Sequence, residues 1–144
     1  MAFKINISDT KGRSWKMECE SESLNGKSVG DVLEGKEISA DLTGYSFEIT
    51  GGSDQAGFPL SKDVEGLGLG KLLLKKGWGM RANKPHGLRL RKTVRGKVIS
   101  PAVSQINLKI AKEGGRKLEE VFPDQNKGKE KKAEALKAEE ASAA

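Results

Sequence analysis

A chain of 144 residues, 35% hydrophobic and 32% charged, has the material for one modest core and argues against a second. A single cysteine, Cys19, excludes an internal disulfide, and no stretch approaches the roughly 20 apolar residues that a membrane-spanning helix needs. The net charge of +6 is sorted along the chain: residues 1–70 carry seven Lys and Arg against twelve Asp and Glu, residues 71–112 carry twelve against none, and residues 113–144 carry seven against eight.

Phe3, Ile5 and Ile7 alternate with Lys4, Asn6 and Ser8, and Trp15, Met17 and Cys19 alternate with Lys16, Glu18 and Glu20. Each run has one apolar face, and a turn around Lys11 and Gly12 joins them as a hairpin. The start, MAFKINISDTKGRS, has no apolar stretch of signal-peptide length, so the chain is expected to be soluble and cytoplasmic. A short helix or turn is predicted near 28–34, capped by Ser28, with Val29, Val32 and Leu33 on one face and Gly26, Gly30 and Gly35 limiting its length. Tyr45, Phe47 and Ile49 alternate with Ser46, Glu48 and Thr50 in a third strand, and the loop GGSDQAGFP follows. Further strands are predicted over 71–75, 88–94, 96–100 and 104–111. Eighteen glycines and 5% aromatic residues favour such a turn-rich β chain over a helical bundle.

The predicted fold class is mainly β: one small barrel or sandwich-like barrel of six or more short strands, since closure or stacking hides apolar faces and strand edges. Its β domain covers residues 1–123. From Asp124 to Ala144 the composition turns to Lys, Glu and Ala, with Leu136 as the one large apolar side chain. Glu/Lys pairs three or four apart favour helix there, but no face can be buried, so a frayed helical or disordered tail is expected.

The charge sorting points to a polyanionic partner. Like charges packed densely on a folded segment repel one another, and nucleic acid offsets that repulsion. In HGLRLRKTVRGK, Leu88, Leu90 and Lys92 fall on one side of a strand and Arg89, Arg91 and Thr93 on the other. Neighbours on one strand face stand roughly 6.6 Å apart, so two guanidiniums can each fork onto a different phosphate. An edge strand protected by charge would carry basic residues too, but protective surfaces interleave both signs and this one does not. The expected RNA-binding residues are Lys71, Lys75, Lys76, Arg81, Lys84, Arg89, Arg91, Lys92, Arg95 and Lys97.

Other motifs lead away from catalysis. GLGLGK at 66–71 fails as a phosphate loop, because Glu65 stands where the first glycine is needed and Leu72 follows Lys71; the dinucleotide pattern fails at Lys71. His86, the only histidine, sits in the basic segment, where an imidazole stacks on or bonds to a partner rather than moving protons. Cys19 reads as a small core hydrophobe without metal ligands at useful spacing. Asp54, Asp63 and Glu65 suit turn chemistry, their carboxylates bonding nearby amides, better than a metal or acid–base cluster. Trp78, between Gly77 and Gly79 and near Arg81, suits either the stacking of an unpaired base or burial in a core poor in aromatics. No catalytic residue, metal, cofactor or small-molecule substrate is expected.

Four segments in order resemble a known family, the small-ribosomal-subunit protein S-six-e of archaea and eukaryotes. The family loop ISGGxDxxGFP is similar to ITGGSDQAGFP (Ile49 to Pro59), and its strand GRVRLLLxKG to GLGKLLLKKG (Gly68 to Gly77). Its block GxRxRKSVRG is similar to GLRLRKTVRG (Gly87 to Gly96), and SVLNLVIVKKG to SQINLKIAKEG (Ser104 to Gly114). With FKINISD at the start, the likeness covers about residues 3–115. It implies a non-catalytic component of the small subunit, a β domain lodged on ribosomal RNA beside neighbouring ribosomal proteins, without membrane contact. The chain resembles the short archaeal form: it lacks the long basic helix with phosphorylated serines of eukaryotic members, so a kinase-regulated role is not implied. Leu69 and the apolar positions about Leu73 give the glycine-led strand fewer phosphate contacts than the eukaryotic pattern. A free RNA-binding module is the alternative to an integrated ribosomal component, and an enzyme of low activity a more distant one.

Overall fold

The computed structural model describes residues 2–126; the expectation of a helical or disordered tail falls, from residue 127 on, outside them. The hairpin forms as its alternation predicts. β1 (Phe3–Ser8) and β2 (Ser14–Cys19) pair antiparallel from Phe3 opposite Cys19 to Ser8 opposite Ser14. Phe3, Ile5, Ile7, Trp15 and Cys19 are buried while the residues between them face water or lie half-buried. Near 28–34 the chain makes a turn, closed by the Asp31 amide on the Ser28 carbonyl at 3.0 Å, and then a strand, β3 (Val32–Glu34). Val32 and Leu33 do not share a face: Val32 is 60% exposed and Leu33 is fully buried, because consecutive residues of a strand point to opposite sides. Ser28 gives no cap; its amide donates to the Asp31 carboxylate at 2.7 Å.

The third expected strand is longer than its alternation suggests. β4 (Ser46–Asp54) runs through Gly51, Gly52 and Ser53, which were expected to be loop. Its inward residues are Phe47 and Ile49, and then the register against the partner strand shifts between Ile49 and Gly51. That bulge reverses the parity, so Asp54, five residues after Ile49, is again turned inward and buried.

The remaining strands are β5 (Leu69–Leu74), β6 (Leu90–Arg95) and β7 (Val103–Lys112), close to three of the four expected spans. The fourth, 96–100, is not a strand. Lys97 and Val98 donate to the carbonyls of Val64 and Gly66, whereas Ile99 donates to Lys27, so two different loops satisfy this segment in place of a ladder. Ile99 is buried there and Val98 only half-buried.

β1 lies between β2 and β7, the latter parallel to it, and β7 pairs antiparallel with β4, giving the order β2-β1-β7-β4-β3. Phe3, Ile5, Ile7, Phe47, Ile49, Ile106 and Leu108 supply the buried centre of this mixed sheet. Leu24, Leu42 and Leu118 close over it from single-turn 3-10 segments at Glu22–Leu24 and Ala40–Leu42 and from the short helix α1 (Leu118–Val121). Among the described residues no helix is long and apolar enough to cross a membrane. The described residues are mainly β, as the sequence predicts, with β5 and β6 set apart as a two-stranded ribbon.

Candidate nucleic-acid interface

A two-stranded ribbon is marginal by itself, so the segments that fix it matter. At its root, β6 runs alongside Pro59–Ser61: the Arg95 amide donates to the Pro59 carbonyl at 2.9 Å and the Ser61 amide to the Arg95 carbonyl at 3.0 Å. Leu60 in turn donates to Gly52 of β4 at 3.0 Å, which joins the ribbon to the sheet through backbone alone. On the other side, residues 64–68 lie against the end of β6, with Gly96 donating to Gly68 at 2.9 Å.

Side chains complete the root. Arg95 Nε donates to Asp54 Oδ2 at 2.9 Å and Arg95 Nη1 to the Leu67 carbonyl at 3.0 Å. Asp54 Oδ1 accepts from the Phe58 amide at 2.9 Å, the turn chemistry expected of it. Burial pushes the Asp54 carboxyl up, but hydrogen bonds from Arg95 and the Phe58 amide and the guanidinium charge outweigh burial and hold it below the ordinary carboxylate range. Lys97 Nζ reaches Glu65 Oε1 at 2.8 Å. Arg95 and Lys97 are therefore neutralised by carboxylates from outside the acid-free segment, a pairing that a count along the chain does not reveal.

The other eight expected residues differ. Lys71, Lys75, Lys76, Arg81, Lys84, Arg89 and Arg91 are exposed and Lys92 is half-buried; among the described residues none of the eight has an acidic partner within 4 Å. Cross-strand register sorts those on the ribbon. Leu73 stands opposite Arg91, Lys71 opposite Thr93 and Leu69 opposite Arg95 on the outward face, while Gly70, Leu72 and Leu74 meet Val94, Lys92 and Leu90 on the inward face. Arg89 precedes the first residue of β6, so it lies at the ribbon's end and not one strand step from Arg91 on a common ladder. Leu67, Leu69 and Leu73 are 51–54% exposed, which makes the outward face mixed apolar and cationic.

Lys75, Lys76, Arg81, Lys84 and Arg89 belong to the connection between β5 and β6. Within it a cleft of about 250 Å³ is lined by Lys75, Lys76, Asn83, His86 and Arg89, all solvent-facing and none acidic. Trp78 is 54% exposed in the same connection, which settles the choice between core and surface that its sequence context leaves open. Lys109 and Lys112 lie apart from this surface on β7, paired with β4.

A family described as "Ribosomal protein S6e" matches residues 3–123. Among curated relatives, a protein named "Small ribosomal subunit protein eS6" from Methanococcus maripaludis strain C7 is 44% identical over 119 residues, covering 82% of this chain and 94% of its own length. The same name is carried by a relative from Archaeoglobus fulgidus, 44% identical over 127 residues with 85% and 96% coverage. A third, from Methanocaldococcus jannaschii, is 39% identical over 120 residues with 83% and 89% coverage.

Proposed function

Because the chain belongs to the ribosomal protein S6e family, matched across residues 3–123, we propose that it does what its relatives' name states and serves as a structural protein of the small ribosomal subunit, in the cytoplasm, held there by small-subunit ribosomal RNA. The family is one of ribosomal components and not of enzymes. The β domain of residues 1–123 acts as a rigid mount. Lys71, Arg91 and Lys92 on the ribbon, with Lys75, Lys76, Arg81, Lys84 and Arg89 in the adjoining connection, grip phosphates; Arg95 and Lys97 hold the mount together. Neighbouring ribosomal proteins cover what the RNA leaves. The observation that carries this reading is the set of eight cations that have no acidic partner among the described residues, gathered on one ribbon and its connection.

Backbone contacts position a protein without reading sequence, so recognition rests on RNA shape and 2′-hydroxyls. If about six phosphates are neutralised, log affinity for a small-subunit ribosomal RNA transcript falls with log salt at a slope near −4 to −5. A slope nearer −1 in a filter-binding titration rejects the basic footprint. Replacing Arg89 and Arg91 together by Ala flattens that slope by about 2 and leaves stability within about 0.5 kcal/mol, because both side chains face water. Sedimentation of small subunits through a salt gradient separates an integrated component, which stays with the particle, from a free RNA-binding module, which washes off.

A further inference from the structure

The connection after β5 opens with a tight turn that presents one side chain. The Met80 amide donates to the Gly77 carbonyl at 3.2 Å and Gly79 has a φ of 74°, a turn whose third residue must adopt the left-handed region. Met80 is tucked in at 9% exposure and anchors the turn, leaving Trp78 at the corner, 54% exposed. The chain has two tryptophans, and the other, Trp15, is 2% exposed in the core. A fold poor in aromatics that leaves one of its two tryptophans about half exposed, on a turn with an anchored base, presents a stacking surface.

Beside that turn lies a cleft of about 330 Å³. Phe58, Pro59, Leu74 and Val94 give it apolar walls, Gly79 and Thr93 form other parts of it, and Lys92 supplies a charged group. A side chain in place of Gly79 would be strained by its φ and would bring a Cβ to 3.0 Å from Leu74 Cδ1. Among the described residues no acidic one lines the cleft, and none occurs in the sequence between Glu65 and Glu113. An occupant that is flat, apolar on its faces, polar at its edge and attached to negative charge suits these walls and the Lys92 charge.

We propose that Trp78 and this cleft hold one unpaired nucleobase of the RNA, stacked on the indole with its edge toward Lys92. The inference rests on the RNA reading of the ribbon and adds a base-holding point to a surface that otherwise grips backbone. An aromatic side chain set among cations is how proteins hold unpaired nucleotides without reading their identity.

The test uses the full chain and a small-subunit ribosomal RNA transcript of an archaeal relative. Trp15 is shielded, so the emission of Trp78 is the difference between the unaltered protein and Trp78→Phe. Binding quenches that difference. Trp78→Ala weakens affinity by about 5- to 150-fold, Trp78→Phe by much less, and both keep the salt slope because no phosphate contact is lost. Lys76→Ala behaves oppositely, flattening the slope by about 1. If the RNA binds with the steep slope but Trp78 emission is unchanged and Trp78→Ala binds equally well, the base-holding point is refuted while the RNA reading stands. If Trp78→Ala leaves RNA affinity unchanged and particles lose a neighbouring protein, the occupant is that protein and the inference is overturned. If the unaltered chain binds no transcript, the RNA reading itself fails.

Discussion

Replacing Arg95 by Ala lowers the stability of the domain by about 3–5 kcal/mol, the cost of leaving one member of a buried ion pair without its partner. The Asp54 side chain is 2% exposed and that of Arg95 16%, so solvent cannot stand in for the lost guanidinium. Asp54 would keep its bond from the Phe58 amide but lose the charge that compensates its own, and the Leu67 carbonyl would lose its donor. Against a total stability of about 5–15 kcal/mol, such a loss unfolds a large share of molecules in mild urea. Urea denaturation at neutral pH reads it, and the Asp54→Ala, Arg95→Ala double variant should recover part of the loss, since no buried charge is then left alone. A midpoint for Arg95→Ala equal to that of the unaltered protein would show that the ribbon is fixed by backbone alone. Acid provides a second readout. A carboxyl held below its unfolded value contributes stability that is complete above about pH 4 and disappears as pH falls through the folded value. Asp54 behaves this way, and Asp9 adds to it: burial raises Asp9, but hydrogen bonds from Arg13 and Thr10 and the Arg13 charge more than reverse that. In Arg95→Ala, burial of Asp54 is no longer opposed by the guanidinium, so the decline in stability below pH 4 becomes shallower.

Gly96→Ala is the second substitution with a large expected effect, at about 3 kcal/mol, the upper end of ordinary overpacking. A Cβ at Gly96 would stand 2.0 Å from the Gly66 carbonyl oxygen and 2.7 Å from its carbon, and the obstacle is backbone that cannot rotate away. Relief requires residues 64–68 to move off the end of β6. That movement breaks the bonds from Gly96 to Gly68 and from Lys97 to Val64, both 2.9 Å. The Leu67 carbonyl would be drawn away from Arg95 with them. Gly68→Ala is the control, because a Cβ there meets nothing within 4 Å, and its urea midpoint should not fall. Equal midpoints for the two variants would mean that the loop yields without cost. Weaker RNA binding by Gly96→Ala, measured where the protein is still folded, would link the seating of the ribbon to its grip.

Much of this architecture is legible in the residues, and the failures have physical causes. The hairpin of β1 and β2 can be read because every second residue meets one core. β4 is read only to Ile49, because a bulge has no hydrophobic signature and two glycines look like a loop whether or not they pair. Residues 96–100 have strand-like composition but bond to two loops, and composition does not say where a partner lies. The cations of the candidate interface are visible as an imbalance along the chain. Which of them are free is not, since Asp54 reaches Arg95 across 41 positions and Glu65 reaches Lys97 across 32. Trp78 carries no local signal for exposure, because the glycines that set its turn would serve a buried corner equally well.

The parallel pairing of β1 with β7 has a consequence for biogenesis. β1 leaves the polypeptide exit tunnel before β7 and lacks one of its two neighbours until Val103–Lys112 has been translated, so the sheet cannot be assembled progressively as the nascent chain lengthens. Any attachment of this protein to a maturing particle in its finished form must wait until synthesis has passed that point.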